Sequence, residues 1–128
     1  ETSPMYIYSN PITVGEASAA VRALDLLDSA DGRGLLDRLR GLTRRFEEGL
    51  GRLGLETIPG EHPVVPLMVR DTARTQALVA HLRDKGVLAT GLAYPVVPRG
   101  DEEIRFQINA DHTEDDIDYV LETLSTFR

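Results

Sequence analysis

Cysteine is missing from this chain, and lysine occurs once among its 14 basic residues, at Lys85. Without cysteine there is no disulfide framework, no thiolate nucleophile and no sulfur ligand for a metal, a pattern that fits a cytoplasmic protein. With a single lysine, almost no candidate remains for amine chemistry. Long apolar runs are missing as well. No stretch approaches the roughly 20 residues of a membrane span, and no secretory signal pattern opens the sequence, so no membrane partner is expected. Basic clusters are also lacking: the formal charge is −7 and the arginines are scattered, which argues against a nucleic-acid surface. What is present is the composition of a folded domain. Hydrophobic residues at 41% and charged residues at 27% across 128 positions can bury a core and cannot describe a disordered segment.

The order of elements follows from periodicity. Pro4 and Pro11 interrupt the apolar and aromatic opening Glu1–Ile12. A helix is expected from Gly15, with Ala19, Val21, Ala23, Leu24, Leu26 and Leu27 apolar, and then a turn over 29–34. Leu35, Leu39, Leu42, Phe46, Leu50 and Leu53 recur at three- and four-residue steps, which predicts a long second helix ending at Gly54. The apolar run Val64–Val69 reads as a strand, and Pro63 and Pro66 assign it to an edge or a bulge. Asp71 can cap a third helix with an inner face of Ala73, Ala77, Leu78, Ala80 and Leu82, with Val79 at its margin, stopped by Gly86. Strands are expected over 87–90 and 103–109, separated by a proline-bounded loop over 94–100. Thr113 and Asp116 have the spacing of a capping box for a last helix carrying Ile117, Val120, Leu121 and Leu124. The resulting architecture is α+β, a small and mostly antiparallel sheet with helices on one face. The aromatic opening reads as a segment, residues 1–14, built to pack against something else, with the α+β domain over 15–128.

One strand residue stands apart. In Glu103–Asn109 the apolar side chains Ile104, Phe106 and Ile108 share one face, and Arg105, Gln107 and Asn109 share the other. A buried apolar face would hold Arg105 on a rigid platform, and a fixed guanidinium suits a carboxylate gripped through two parallel hydrogen bonds. On spacing alone, an ordinary surface arginine is the commoner reading. His62, His81 and His112 have no second ligand at a metal-like spacing, so no metal site is expected; His112 reads as a turn residue and His81 as a surface one. Asp101, Glu102, Glu103, Asp115 and Asp116 read as solvated charges.

Three segments carry a resemblance: Tyr6–Pro11 (YIYSNP), Ile58–Leu67 (IPGEHPVVPL) and Gly91–Thr113 (GLAYPVVPRGDEEIRFQINADHT). Their order and spacing resemble the C-terminal small domain of the α-oxoamine synthases, pyridoxal-phosphate enzymes of fold type I in the class I/II aminotransferase superfamily. The branch most similar is glycine C-acetyltransferase, also called 2-amino-3-ketobutyrate CoA ligase, an acyltransferase that condenses an amino acid with an acyl-CoA. The resemblance implies that Arg105 binds the carboxylate of the amino-acid substrate. It implies that Ser9, with Asn10 beside it, reaches the cofactor phosphate of the partner subunit in a homodimer. Where the family shows a Ser-Leu-Pro-Pro-like run, this sequence has Pro11 and Thr13–Glu16, and the choice of amino acid and acyl-CoA stays open. Lys85, expected at an exposed helix C-terminus, is a poor Schiff-base residue, so the cofactor lysine is expected in an N-terminal large domain preceding residue 1. The chain is then expected to hold no catalytic residue, to bind no cofactor and to be inactive alone. Two other classes remain open at this point: an ACT-like regulatory module that binds an amino acid, or a plain interaction domain. Within the superfamily, the small domain of an aminotransferase is a further alternative.

Overall fold

The computed structural model describes residues 10–127. The chain forms two compact units, Glu1–Leu35 and Leu36–Arg128.

In the first unit, Thr13 starts helix α1 (Val14–Asp28). Its hydroxyl accepts the Glu16 N–H while the Glu16 carboxylate accepts the Thr13 N–H, a complete capping box. Ser29 alone separates α1 from α2 (Ala30–Arg52), where the sequence suggested a turn over 29–34. Its hydroxyl does both jobs: it donates to the Leu26 carbonyl at the end of α1 and accepts the Gly32 N–H at the start of α2. One capping serine therefore replaces a longer turn. No side chain of α1 is buried, and Val21, Leu24 and Leu27 are all exposed.

In the second unit, Leu42, Phe46 and Leu50 of α2 are buried and Leu39 packs against them, as the periodicity predicts. Leu53, assigned to the same stripe, falls just past the end of the helix and is exposed instead. The chain then leaves the helix through Gly54, whose φ of 70° lets the Leu55 N–H return to the Leu50 carbonyl. Strand β1 (Val64–Met68) is an edge strand, which is where Pro66 can sit without costing a ladder bond. Asp71 caps α3 (Thr72–Asp84) by accepting the Arg74 N–H at 2.7 Å. The buried face of α3 is Thr75, Leu78 and Leu82; Ala73, Ala77 and Ala80 are exposed, so the alanines expected inside are not the inner stripe. Strand β2 is Thr90–Leu92, shifted from the expected 87–90, and β3 is Glu103–Gln107. Helix α4 (Glu114–Ser125) begins at the Thr113–Asp116 capping box and buries Ile117, Leu121 and Leu124.

The sheet runs β1-β3-β2, antiparallel throughout, with β3 in the middle. Val65 and Leu67 pair with Phe106 and Ile104, and this face joins α2, α3 and α4 in a single core. The Phe46 and Phe106 rings meet edge to face at 5.0 Å between centroids. Each fully buried Phe or Leu contributes about 1.5–3 kcal/mol, so this face, rather than strand propensity, fixes the register of β3. The architecture is the expected α+β one, with helices on one face of an antiparallel sheet.

Candidate functional site

The middle strand positions the arginine. Ile104, Phe106 and Ile108 enter the core at 0%, 5% and 6% exposure, while Arg105, Gln107 and Asn109 are exposed. Pro66 of β1 and Thr90 of β2 flank Arg105 in register. The opposite parity, Ile104 with its partner Gly91, lies against α3, where a Cβ on Gly91 would come within 2.8 Å of Val79. Arg105 therefore rises from the sheet face turned away from the helices, with its backbone held by neighbours on both sides.

Its surroundings are only partly those expected. Glu102 and Glu103 are buried, at 2% and 8% exposure, where the sequence suggested solvated charges. Strand parity gives the reason. Glu102 falls on the inner side, and its carboxylate accepts the Thr72 hydroxyl and the Gly100 N–H, each at 2.8 Å. The Thr72 hydroxyl first, then the backbone N–H groups of Glu102 and Gly100, hold this carboxyl below its usual pKa. Glu103 falls on the arginine's own side, where its Oε1 accepts the Arg105 Nε–H at 2.6 Å. The alternation that singled out Arg105 also placed Glu103 beside it, a signal masked by the run of three acidic residues. Together the pair lines an open groove of about 390 Å³ with Ile58, Pro59, His62 and Pro66.

The remaining candidates are spread out. His62 accepts the Val64 N–H through Nδ1, so its ring is fixed by local backbone. His112 is part of the turn before α4, with its Nδ1 3.4 Å from the Asn109 nitrogen. Its carbonyl accepts Arg38 Nη2 at 2.9 Å, which ties that turn to α2. His81, expected on the surface, is half-buried between α3 and the end of α4, with Nε2 3.2 Å from the Thr123 carbonyl and the Phe127 ring 5.5 Å away. Among the described residues no group of His, Asp or Glu could hold a metal ion, and no helix is long and apolar enough to cross a membrane. A larger hollow of about 500 Å³ lies between Leu88 and α4. Its one carboxylate, Asp116, is committed to the helix cap, and the Thr113 backbone N–H holds that carboxyl below the usual range. Asn10 is exposed outside any helix or strand; Ser9 lies outside the described residues.

Pyridoxal phosphate needs a lysine for its Schiff base, held in an apolar pocket. Lys85 is exposed at the C-cap of α3, and its carbonyl accepts the Tyr119 hydroxyl at 2.9 Å. The donor set of the described residues therefore does not fit the covalent chemistry of that cofactor. It does offer a guanidinium on a rigid sheet.

Comparison with known proteins shows the family. The family model for aminotransferase class I and II matches residues 2–124. The chain is 35% identical over 116 residues to 8-amino-7-oxononanoate synthase of Symbiobacterium thermophilum, covering 91% of this chain and 29% of that protein. It is 33% identical over 122 residues to the mitochondrial 2-amino-3-ketobutyrate coenzyme A ligase of Mus musculus, covering 95% and 29%. A solved structure of SPT with its PLP internal aldimine aligns with a TM-score of 0.66 at 25% identity, over 70% of this chain and 23% of that one. The chain thus spans a little under a third of the length of these curated relatives. It belongs to the class I and II aminotransferase family of pyridoxal-phosphate enzymes.

Proposed function

We propose that this chain is the substrate-carboxylate-binding small domain of a PLP-dependent acyltransferase that condenses a glycine-like amino acid with an acyl-CoA. The observation that carries the reading is Arg105, exposed at 52% of its side chain yet anchored by a strand whose other face is buried. In this reading a large domain supplies the cofactor lysine, and Arg105 grips and orients the amino-acid carboxylate through parallel hydrogen bonds. The opening segment, residues 1–14, packs on that domain or on the second subunit of a homodimer, with Ser9 and Asn10 reaching the partner's cofactor phosphate. The exposed apolar side chains of α1, Val21, Leu24 and Leu27 among them, support a surface that is covered in the whole protein. The family match over residues 2–124 favours this reading over an ACT-like regulatory module. The parent is expected to be a cytoplasmic enzyme.

The test uses the full-length protein that carries this chain. Arg105→Ala is expected to raise the KM for the amino acid by at least about tenfold, the low end for losing a charge-assisted bidentate contact. Cofactor absorbance should not change. An unchanged KM would remove the carboxylate role. Dependence of turnover on acyl-CoA rather than on a 2-oxo acid separates the acyltransferase from an aminotransferase.

A further inference from the structure

The geometry points to Glu103 as the positioning residue for Arg105, fixing which edge of the guanidinium is open to a carboxylate. The inference rests on the carboxylate role proposed above and adds a residue to it. Among the described residues Arg105 makes one side-chain hydrogen bond, from Nε to Glu103 Oε1 at 2.6 Å. The two side chains differ sharply in exposure, 10% for Glu103 and 52% for Arg105. Glu103 is flanked in register by Met68 and Leu92, and Met68 is itself only 9% exposed, so the carboxylate is set into the sheet rather than swinging above it. A charge buried to that degree needs a partner, and Arg105 is the ion-pair partner it has.

The consequence follows from the shape of a guanidinium. Its five N–H groups form a rigid fork, and a carboxylate can dock either along the Nε side or against the two terminal nitrogens. Glu103 occupies Nε, so the terminal pair Nη1 and Nη2 is the edge left for an incoming carboxylate, which docks end on. A long, flexible arginine would otherwise lose its rotamer freedom on binding; tied at Nε, it has lost part of that freedom already. Glu103 touches no substrate in this arrangement. It acts through Arg105, and a side chain that only filled space beside Met68 and Leu92 would not reproduce the effect.

Glu103→Ala and Glu103→Gln, made in the full-length protein, separate these possibilities. Removing the brace should raise the amino-acid KM about tenfold while kcat and the cofactor absorbance stay as they were, since a misplaced binding group weakens capture. Glutamine keeps an oxygen that accepts the same Nε–H, so Glu103→Gln should restore KM close to the parent value. In an Arg105→Ala background, Glu103→Ala should add nothing further. A raised KM for Arg105→Ala beside an unchanged or lowered KM for Glu103→Ala would overturn the role of Glu103 alone. An unchanged KM for Arg105→Ala itself would instead overturn the carboxylate reading beneath it. If Glu103→Ala fails to fold, Glu103→Asp gives the same test: it keeps the charge but draws the carboxylate back from Nε, so KM should rise, and an unchanged KM overturns the inference.

Discussion

Arg70 sits at a φ of 67°, the one described non-glycine residue in the left-handed region. Its position explains why the conformation is kept. Both the Val69 and the Arg70 N–H groups turn to the Glu102 carbonyl, at 2.9 and 3.0 Å, and the guanidinium bonds Glu56, Asp101 and the Gly100 carbonyl. The turn from β1 into α3 is thereby tied to the loop that leads into β3. Substitution can separate backbone from side chain. Arg70→Ala and Arg70→Gly both lose every guanidinium contact, but only glycine adopts the conformation freely. Arg70→Gly should therefore be more stable than Arg70→Ala by about 1 kcal/mol in urea denaturation; equal stabilities would show that the backbone relaxes out of the left-handed region. At this scale the site was half legible in the sequence. The alternation about Arg105 put it on the open face of its strand, because a period of two and three large apolar side chains leave no other register. Strand parity alone also sides Glu102 with the core and Glu103 with Arg105, but their burial was masked by the acidic run, since Thr72 and Met68, which cover them, lie 30 or more positions away in the chain.

Helix packing separates two glycines that look alike in the sequence. Gly49 and Gly41 both lie inside α2, and each costs the helix about 1 kcal/mol relative to alanine. A Cβ on Gly41 meets nothing within 4 Å, whereas one on Gly49 would collide with the Leu121 side chain of α4. Gly41→Ala should therefore raise stability by up to about 1 kcal/mol. Gly49→Ala gains the same propensity but overpacks the α2–α4 contact, a cost of about 1–3 kcal/mol, so its urea midpoint should fall. A rise at Gly49 would mean that Leu121 repacks freely. Thr113→Ala, which removes the α4 cap, should cost about 1 kcal/mol. Element order, the edge position of β1 and the caps of α3 and α4 were all readable, because each depends on residues within four positions of one another. The start of β2 was not: Thr90–Leu92 is selected by pairing with Glu103–Arg105 and by the approach of Gly91 to α3, contacts that cross 11 or more positions of the chain. Likewise the alanines of α3 carry no size signal, so only the packing of Thr75, Leu78 and Leu82 decides which way that helix faces.

The whole molecule carries a formal charge of −7, so two effects oppose one another as pH falls. Protonation relieves the general self-repulsion of the folded state, which favours folding on the way down from neutrality. Against this stand four carboxyls of Leu36–Arg128 held below their ordinary values. Glu56 is held by its hydrogen bond from Arg70, Asp118 by that from Arg45, Glu102 by the Thr72 hydroxyl and Asp116 by the Thr113 backbone N–H. A carboxyl whose folded pKa is depressed binds fewer protons folded than unfolded. Its contribution is complete above the unfolded pKa, near 4, and is lost as pH falls through the lower folded value. Stability should therefore hold or rise slightly from pH 7 to about 5 and drop below about 4. Salt tells the two kinds of restraint apart. At 1 M the screening length is about 3 Å, which weakens the exposed Arg45–Asp118 and Arg70–Glu56 pairs but leaves the hydroxyl and N–H bonds to Glu102 and Asp116 in place. Urea midpoints measured from pH 7 to pH 2.5 should accordingly keep part of their acid-side fall in 1 M sodium chloride. A fall that vanishes in salt would assign the acid sensitivity to the arginine pairs alone, and no fall at all would mean that the unfolded chain holds these carboxyls as low as the folded one does.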